Sequence, residues 1–128
     1  MKMRRDHLVP LPRQAVALLS ELKEISGAGR LLFPGRRSVE RPLSDATVLA
    51  ALRYMGFSRD EMTGHGFRSM ASTRLNELGF RADVIERQLA HVDGNSVRRV
   101  YNRAEYLEER RDMLQKWADY LDGLRTEA

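Results

Sequence analysis

Apolar residues recur at helical spacing along most of the chain, and the breaks between runs are marked by glycine, proline or a short polar stretch. Ala15, Leu18, Leu19, Leu22 and Ile25 share one face of a helix over about 12–26, with Pro12 suited to its first turn and Gly27 and Gly29 ending it. Leu31-Leu32-Phe33 reads as a short buried segment, and 34–42 as a loop with a Gly-Arg-Arg-Ser tip. Ser44 is placed to cap a helix to about Met55, with Val48, Leu49 and Leu52 inward and Gly56 as its stop. Thr63 is placed to cap the next, over about 64–78. Its stripe is Phe67, Met70, Ala71, Leu75 and Leu78; His65, Ser69, Ser72 and Asn76 fall opposite, Arg68 lies at the boundary, and Gly79 closes the helix.

A short helix over about 82–90 turns Ala82, Ile85 and Leu89 inward, and His91 to Asn95 forms a turn. Asn95 or Ser96 opens a short helix to about Tyr101, and a last helix over about 105–123 carries Leu107, Leu114, Trp117, Leu121 and Leu124 near one stripe. At the start, Leu8-Val9-Pro10-Leu11 reads as a strand that Met1–Met3 pairs with across Arg4-Arg5-Asp6. The expected fold is mainly α with a small N-terminal β-hairpin, in one domain: hairpin 1–11, helical core 12–104, C-terminal helix 105–128.

Composition narrows the function. The 128 residues contain no cysteine, which excludes disulfides and thiolate metal sites. No apolar run approaches the roughly 18 residues that span a bilayer, and no h-region follows the basic start. The net charge is +4, and Lys2, Lys23 and Lys116 are the lysines, so 19 of the 22 basic residues are arginine. Residues 1–41 hold nine basic and four acidic residues, whereas residues 101–128 hold five and seven. Arginine's planar fork suits phosphate, so a basic, arginine-rich domain is a candidate nucleic-acid binder.

Three weak chemical signals stand in order. His65 and Arg68 are one helical turn apart at a helix N-terminus, where free N–H groups and the dipole favour an anion, and Gly66 lets a backbone or phosphate come close. Alone, such a pair also fits a capping histidine and a solvated arginine. His91, in Gln-Leu-Ala-His-Val, reads by itself as a turn histidine with its hydrogen bonds satisfied. Tyr101 ends the stretch Ser96-Val97-Arg98-Arg99-Val100 and becomes a nucleophile toward phosphorus only if arginines stabilise charge and a base takes its proton; otherwise it is a packed aromatic. His7, His65 and His91 lack metal-ligand spacing, and there is no phosphate-cradling glycine loop.

Taken together, these segments resemble the C-terminal catalytic half of the tyrosine recombinases, the phage-integrase family, and are most similar to prophage and genomic-island integrases. Thr63-Gly-His-Gly-Phe-Arg-Ser-Met-Ala-Ser-Thr73 is similar to the family's histidine–arginine motif, Gln88-Leu-Ala-His-Val92 to its second histidine motif, and Val100-Tyr-Asn-Arg-Ala-Glu-Tyr-Leu107 to its nucleophile segment. His7-Leu-Val-Pro-Leu11 and Leu32-Phe-Pro34 also look like the family's entry segments. The resemblance implies that Tyr101 attacks the scissile phosphate and becomes joined to the DNA 3′ end. Arg68 holds the non-bridging oxygens, His65 serves as base for Tyr101, His91 hydrogen-bonds the phosphate, and Lys2 protonates the departing 5′ oxygen. It implies neither ATP, metal nor any other cofactor. Arg30, Arg36, Arg37 and Arg98 are the expected contacts to the DNA backbone.

The family uses a further arginine upstream of the hairpin that carries the lysine, and no residue here takes that position. The chain is therefore expected to be a catalytic-domain fragment truncated at its N-terminus, weak or inactive alone. Expected partners are double-stranded attachment sites, three further copies in a tetramer on DNA, and accessory DNA-bending proteins, with no membrane and a bacterial cytoplasmic, nucleoid-associated location. A different class of function, a non-catalytic α-helical DNA-binding or interaction module, fits the charge and the helices but does not predict the ordered set of Lys2, His65, Arg68, His91 and Tyr101.

Overall fold

The computed structural model describes residues 6–27, 29–90 and 105–127. Five helices occur among them: α1 (Arg13–Ser26), α2 (Asp45–Tyr54), α3 (Gly64–Glu77), α4 (Ala82–Gln88) and α5 (Leu107–Thr126). None of these is long and apolar enough to cross a membrane.

Local chemistry sets the helix ends. Gly56 and Gly79 take φ values of +97° and +86°, a left-handed conformation open to glycine at little cost. After α2, Gly56 N–H donates to Arg53 O at 3.0 Å and Phe57 N–H to Leu52 O at 3.1 Å. After α3, Gly79 N–H donates to Asn76 O at 3.0 Å and Phe80 N–H to Leu75 O at 3.2 Å. Both are Schellman endings, which satisfy carbonyls that the helix leaves unpaired. Ser44 holds the N-cap position of α2 with extended backbone, but its hydroxyl pairs with Thr47 Oγ1 at 3.0 Å instead of with a helix amide.

The hairpin expected over 1–11 is not seen. Residues 6–12 are irregular, residues 1–5 lie outside the described residues, and the one β-pairing among those described is an isolated antiparallel bridge between Pro34 and Pro42. A backbone group that a hairpin could pair goes elsewhere, Leu8 O accepting from Arg110, and the His7 imidazole Nε2 bonds Gln88 O at 3.0 Å. Pro10 and Pro12 also bring no N–H to a ladder.

The chain divides into two units, Met1–Arg13 with Ser72–Ala128, and Gln14–Ala71; one boundary falls after the first residue of α1 and the other within α3. In the first unit Leu75, Val84, Ile85 and Met113 form the buried core, with Phe80, Leu89, Tyr106 and Trp117 packed on it. Ala82, expected inward, is exposed, and Val84 is buried in its place. On α5 the buried positions are Arg110, Met113 and Ala118, whereas Leu121 and Leu124 are exposed. The stripe thus runs through an arginine and a methionine that a search for leucines passes over.

Among the described residues of the second unit Leu52 is the buried hydrophobe, at 5% exposure. Leu32 and Phe33, expected to be buried, are exposed, as are Ile25 at 84% and Phe67 at 46%. A unit this small, only about half of it helical, buries too little surface to cover every apolar position.

Candidate phosphate-binding site

The site builds from the turn between α2 and α3. Arg53, in the last turn of α2, extends Nη1 to three carbonyls: Phe57 O at 2.7 Å, Ser58 O at 2.8 Å and Met62 O at 2.9 Å. Within the turn, Glu61 Oε2 accepts the Ser58 N–H at 2.6 Å, half of a capping box. That hydrogen bond, then one from the Ser58 hydroxyl, holds the Glu61 carboxyl below its ordinary range, and nearby Arg53 adds to the effect.

Thr63 then caps α3 as expected, its Oγ1 accepting the Gly66 N–H at 3.0 Å. Gly66 also serves the packing of this turn. A Cβ there would lie 3.0 Å from Met62 Sδ and 3.4 Å from Thr63 Oγ1, so the absent side chain makes room for Met62 and the cap.

His65 and Arg68 stand one turn apart on α3, both exposed, and both line one cleft of about 830 Å³. Its other walls include Val48, Leu49, Asp45 and Arg53 of α2, Arg59 of the turn, and Thr63 and Gly64. Three arginines and a histidine thus meet a single carboxylate, Asp45, on an apolar floor. The first turn of α3 adds its dipole, which favours negative charge. The arrangement suits an anion held by guanidinium forks while part of it stays in water.

Arg36 and Arg37 sit exposed at the tip of a loop closed by Gly35 N–H to Arg41 O at 2.6 Å and Leu43 N–H to Phe33 O at 2.8 Å. Arg30 is exposed beyond α1, and none of these three lines the cleft. Lys2, His91, Arg98 and Tyr101 lie outside the described residues. Sequence reasoning passed over Arg53 and Arg59. A basic residue in the last helical turn before Gly56 was the available signal for Arg53.

Residues 1–108 match the Phage integrase family. The chain is 53% identical over 119 residues to Prophage integrase IntA of Escherichia coli (strain K12), covering 93% of this chain and 29% of that protein. It is 52% identical over 129 aligned positions to the Integrase of Enterobacteria phage P4, covering 98% and 29%. With the Integrase of Shigella phage Sf6 the identity is 44% over 123 residues, covering 95% and 32%. The chain spans about three-tenths of the length of these relatives. No solved structure matches it.

Proposed function

The chain belongs to the phage integrase family, and on that basis we propose that it supplies the strand-cleaving residues of a site-specific DNA recombinase acting on a phage or prophage element. Tyr101 Oη attacks the scissile phosphorus, forming a 3′-phosphotyrosyl bond as the bond to the 5′ oxygen breaks. His65 takes the tyrosine proton, and Lys2 gives a proton to the departing 5′ oxygen. Arg68 and His91 hold the non-bridging oxygens as charge builds on them. A second 5′ hydroxyl then attacks the phosphotyrosine and releases Tyr101. The phosphodiester energy is kept in the covalent intermediate, so the cycle calls for neither ATP nor a metal. The DNA is double-stranded, contacted along its backbone by Arg30, Arg36, Arg37 and Arg98. Recombination of paired attachment sites in the bacterial cytoplasm implies a tetramer and fits bending of the DNA by accessory proteins.

The observation that carries this reading is the shared cationic cleft of His65 and Arg68 at the capped start of α3. Vanadate, as a stand-in for the scissile phosphate, tests it in the isotopically labelled chain. One saturation curve shared by His65 and Arg68, abolished by Arg68→Ala, is expected; scattered shifts that never saturate overturn it. Tyr101→Phe separates catalysis from binding. It should remove any covalent DNA adduct and leave DNA affinity unchanged, and an adduct that survives rules Tyr101 out.

A further inference from the structure

We infer that Arg110 is a positioning residue for strand cleavage, its buried guanidinium tying together the backbone at Leu8 and Glu105 and the side chain of Gln88, which lie next to the segments bearing Lys2, Tyr101 and His91. The inference rests on the roles proposed above for those three residues. Arg110 is 1% exposed, and each of its three nitrogens has its own acceptor. Nε donates to Gln88 Oε1 at 2.9 Å, Nη1 to Glu105 O at 3.1 Å, and Nη2 to Leu8 O. Leu8 follows Lys2 by six residues, Gln88 precedes His91 by three, and Glu105 follows Tyr101 by four. Holding Leu8, Gln88 and Glu105 on one guanidinium fixes three described points of the chain relative to one another. The tie is doubled where the His7 imidazole bonds Gln88 O at 3.0 Å. All of these residues belong to one unit, Met1–Arg13 with Ser72–Ala128.

The chemistry of the hub argues for placement over cohesion. Its three acceptors are neutral: an amide oxygen and two carbonyls. Burial, and next the adjacent Arg87 guanidinium, push the Arg110 guanidinium below its ordinary pKa, with Glu105 opposing. A buried cation held in this way costs desolvation that a methionine of similar volume avoids. What the guanidinium has and methionine lacks is a rigid fork of N–H groups at fixed angles, which sets three partners relative to one another. Lysine, a point charge on a flexible stem, does not reproduce that fork.

The cysteine-free sequence allows paired spin labels to be introduced without background. Labels at Asp6→Cys with Glu86→Cys span the first and second anchors, and Glu86→Cys with Glu108→Cys the second and third; all three positions are exposed. A pair within α5, Glu108→Cys with Asp122→Cys, controls for folding. Arg110→Lys and Arg110→Met are each expected to widen both spanning distance distributions at least twofold while the control pair and helix content stay unchanged. Unchanged widths in a folded variant, or full recovery with lysine, overturn the inference. If neither variant folds, Gln88→Ala decides alone: widening across Gln88 supports it and wild-type width overturns it. A second readout adds what a purely structural role would not move. In the Arg110 variants vanadate should still saturate His65 and Arg68, while a shift of the Tyr101 ring carbons present in the wild type falls at least fivefold. A wild-type Tyr101 that never responds counts against its role as nucleophile and leaves the distance result to judge Arg110 independently.

Discussion

Arg53 Nη1 donates to Met62 O at 2.9 Å, so the last turn of α2 holds the residue that leads into the cap of α3. The same nitrogen holds Phe57 and Ser58, which makes Arg53 a brace for the whole turn beneath His65 and Arg68. Hydrogen bonds from a charged donor contribute about 1.5–3 kcal/mol, and three that share one nitrogen do not add. Arg53→Met is expected to lower unfolding free energy by about 2–3 kcal/mol in urea titration and to weaken vanadate binding. Arg53→Lys should recover only part of each loss.

Thr63→Ala removes the acceptor for the Gly66 N–H. The expected cost is about 1 kcal/mol in chemical denaturation, and Thr63→Ser should retain most of the stability. Equal stability of the alanine and wild-type chains would show that the cap contributes nothing.

The Glu61 carboxyl titrates below its ordinary value because its charged form accepts hydrogen bonds from Ser58. A depressed folded pKa stabilises the fold fully above the unfolded value, about 4.3, and that contribution is lost as pH falls through the folded value. Stability measured from pH 7 to pH 2 should therefore separate the wild type from Glu61→Gln by a constant amount at neutral pH. The gap should close only under acid conditions. A gap that persists at pH 2 would contradict this account.

Arg36 and Arg37 are exposed on a loop whose base is pinned by backbone hydrogen bonds. If both neutralise phosphates, the double alanine variant should lower the magnitude of the slope of log affinity against log salt by about two, roughly one per contact. Fluorescence anisotropy with a labelled duplex at several salt concentrations measures this. An unchanged slope removes both residues from the interface.

Ala90 takes a φ of +51° immediately before His91, in the region where a Cβ is crowded. Ala90→Gly should relieve about 1 kcal/mol of backbone strain and raise the denaturation midpoint accordingly. A lower midpoint would mean that the alanine methyl is needed for packing.

What could be read in advance was local. Gly56, Gly79 and Thr63 act on amides and carbonyls within a few residues of themselves, so their positions mark helix ends in the sequence as they do in space. The same holds for His65 and Arg68, whose separation of one helical turn follows from their spacing alone. The rest depended on partners distant along the chain. Leu8 to Leu11 has the apolar content of a strand, but the Leu8 carbonyl is taken by the distant Arg110 guanidinium. Arg110 itself is written like any solvated arginine of a polar helix, and nothing in its neighbours announces that it is buried. Arg53 works through backbone carbonyls, which every residue has, so its place in the last turn of α2 marks the residue but not its three partners.

The thin packing of residues 14–71 carries an energetic consequence. With Leu52 as their buried hydrophobe, these residues hold α2 and the start of α3 with few apolar contacts, so their amides should open for hydrogen exchange well before those around Ile85 and Met113. A ligand that binds only the closed form raises the cost of opening by mass action, by about 2.7 kcal/mol at a hundred times its dissociation constant. The residues proposed to grip the phosphate would then be ones that the phosphate itself makes rigid, and exchange protection at α3 would rise with occupancy of the cleft.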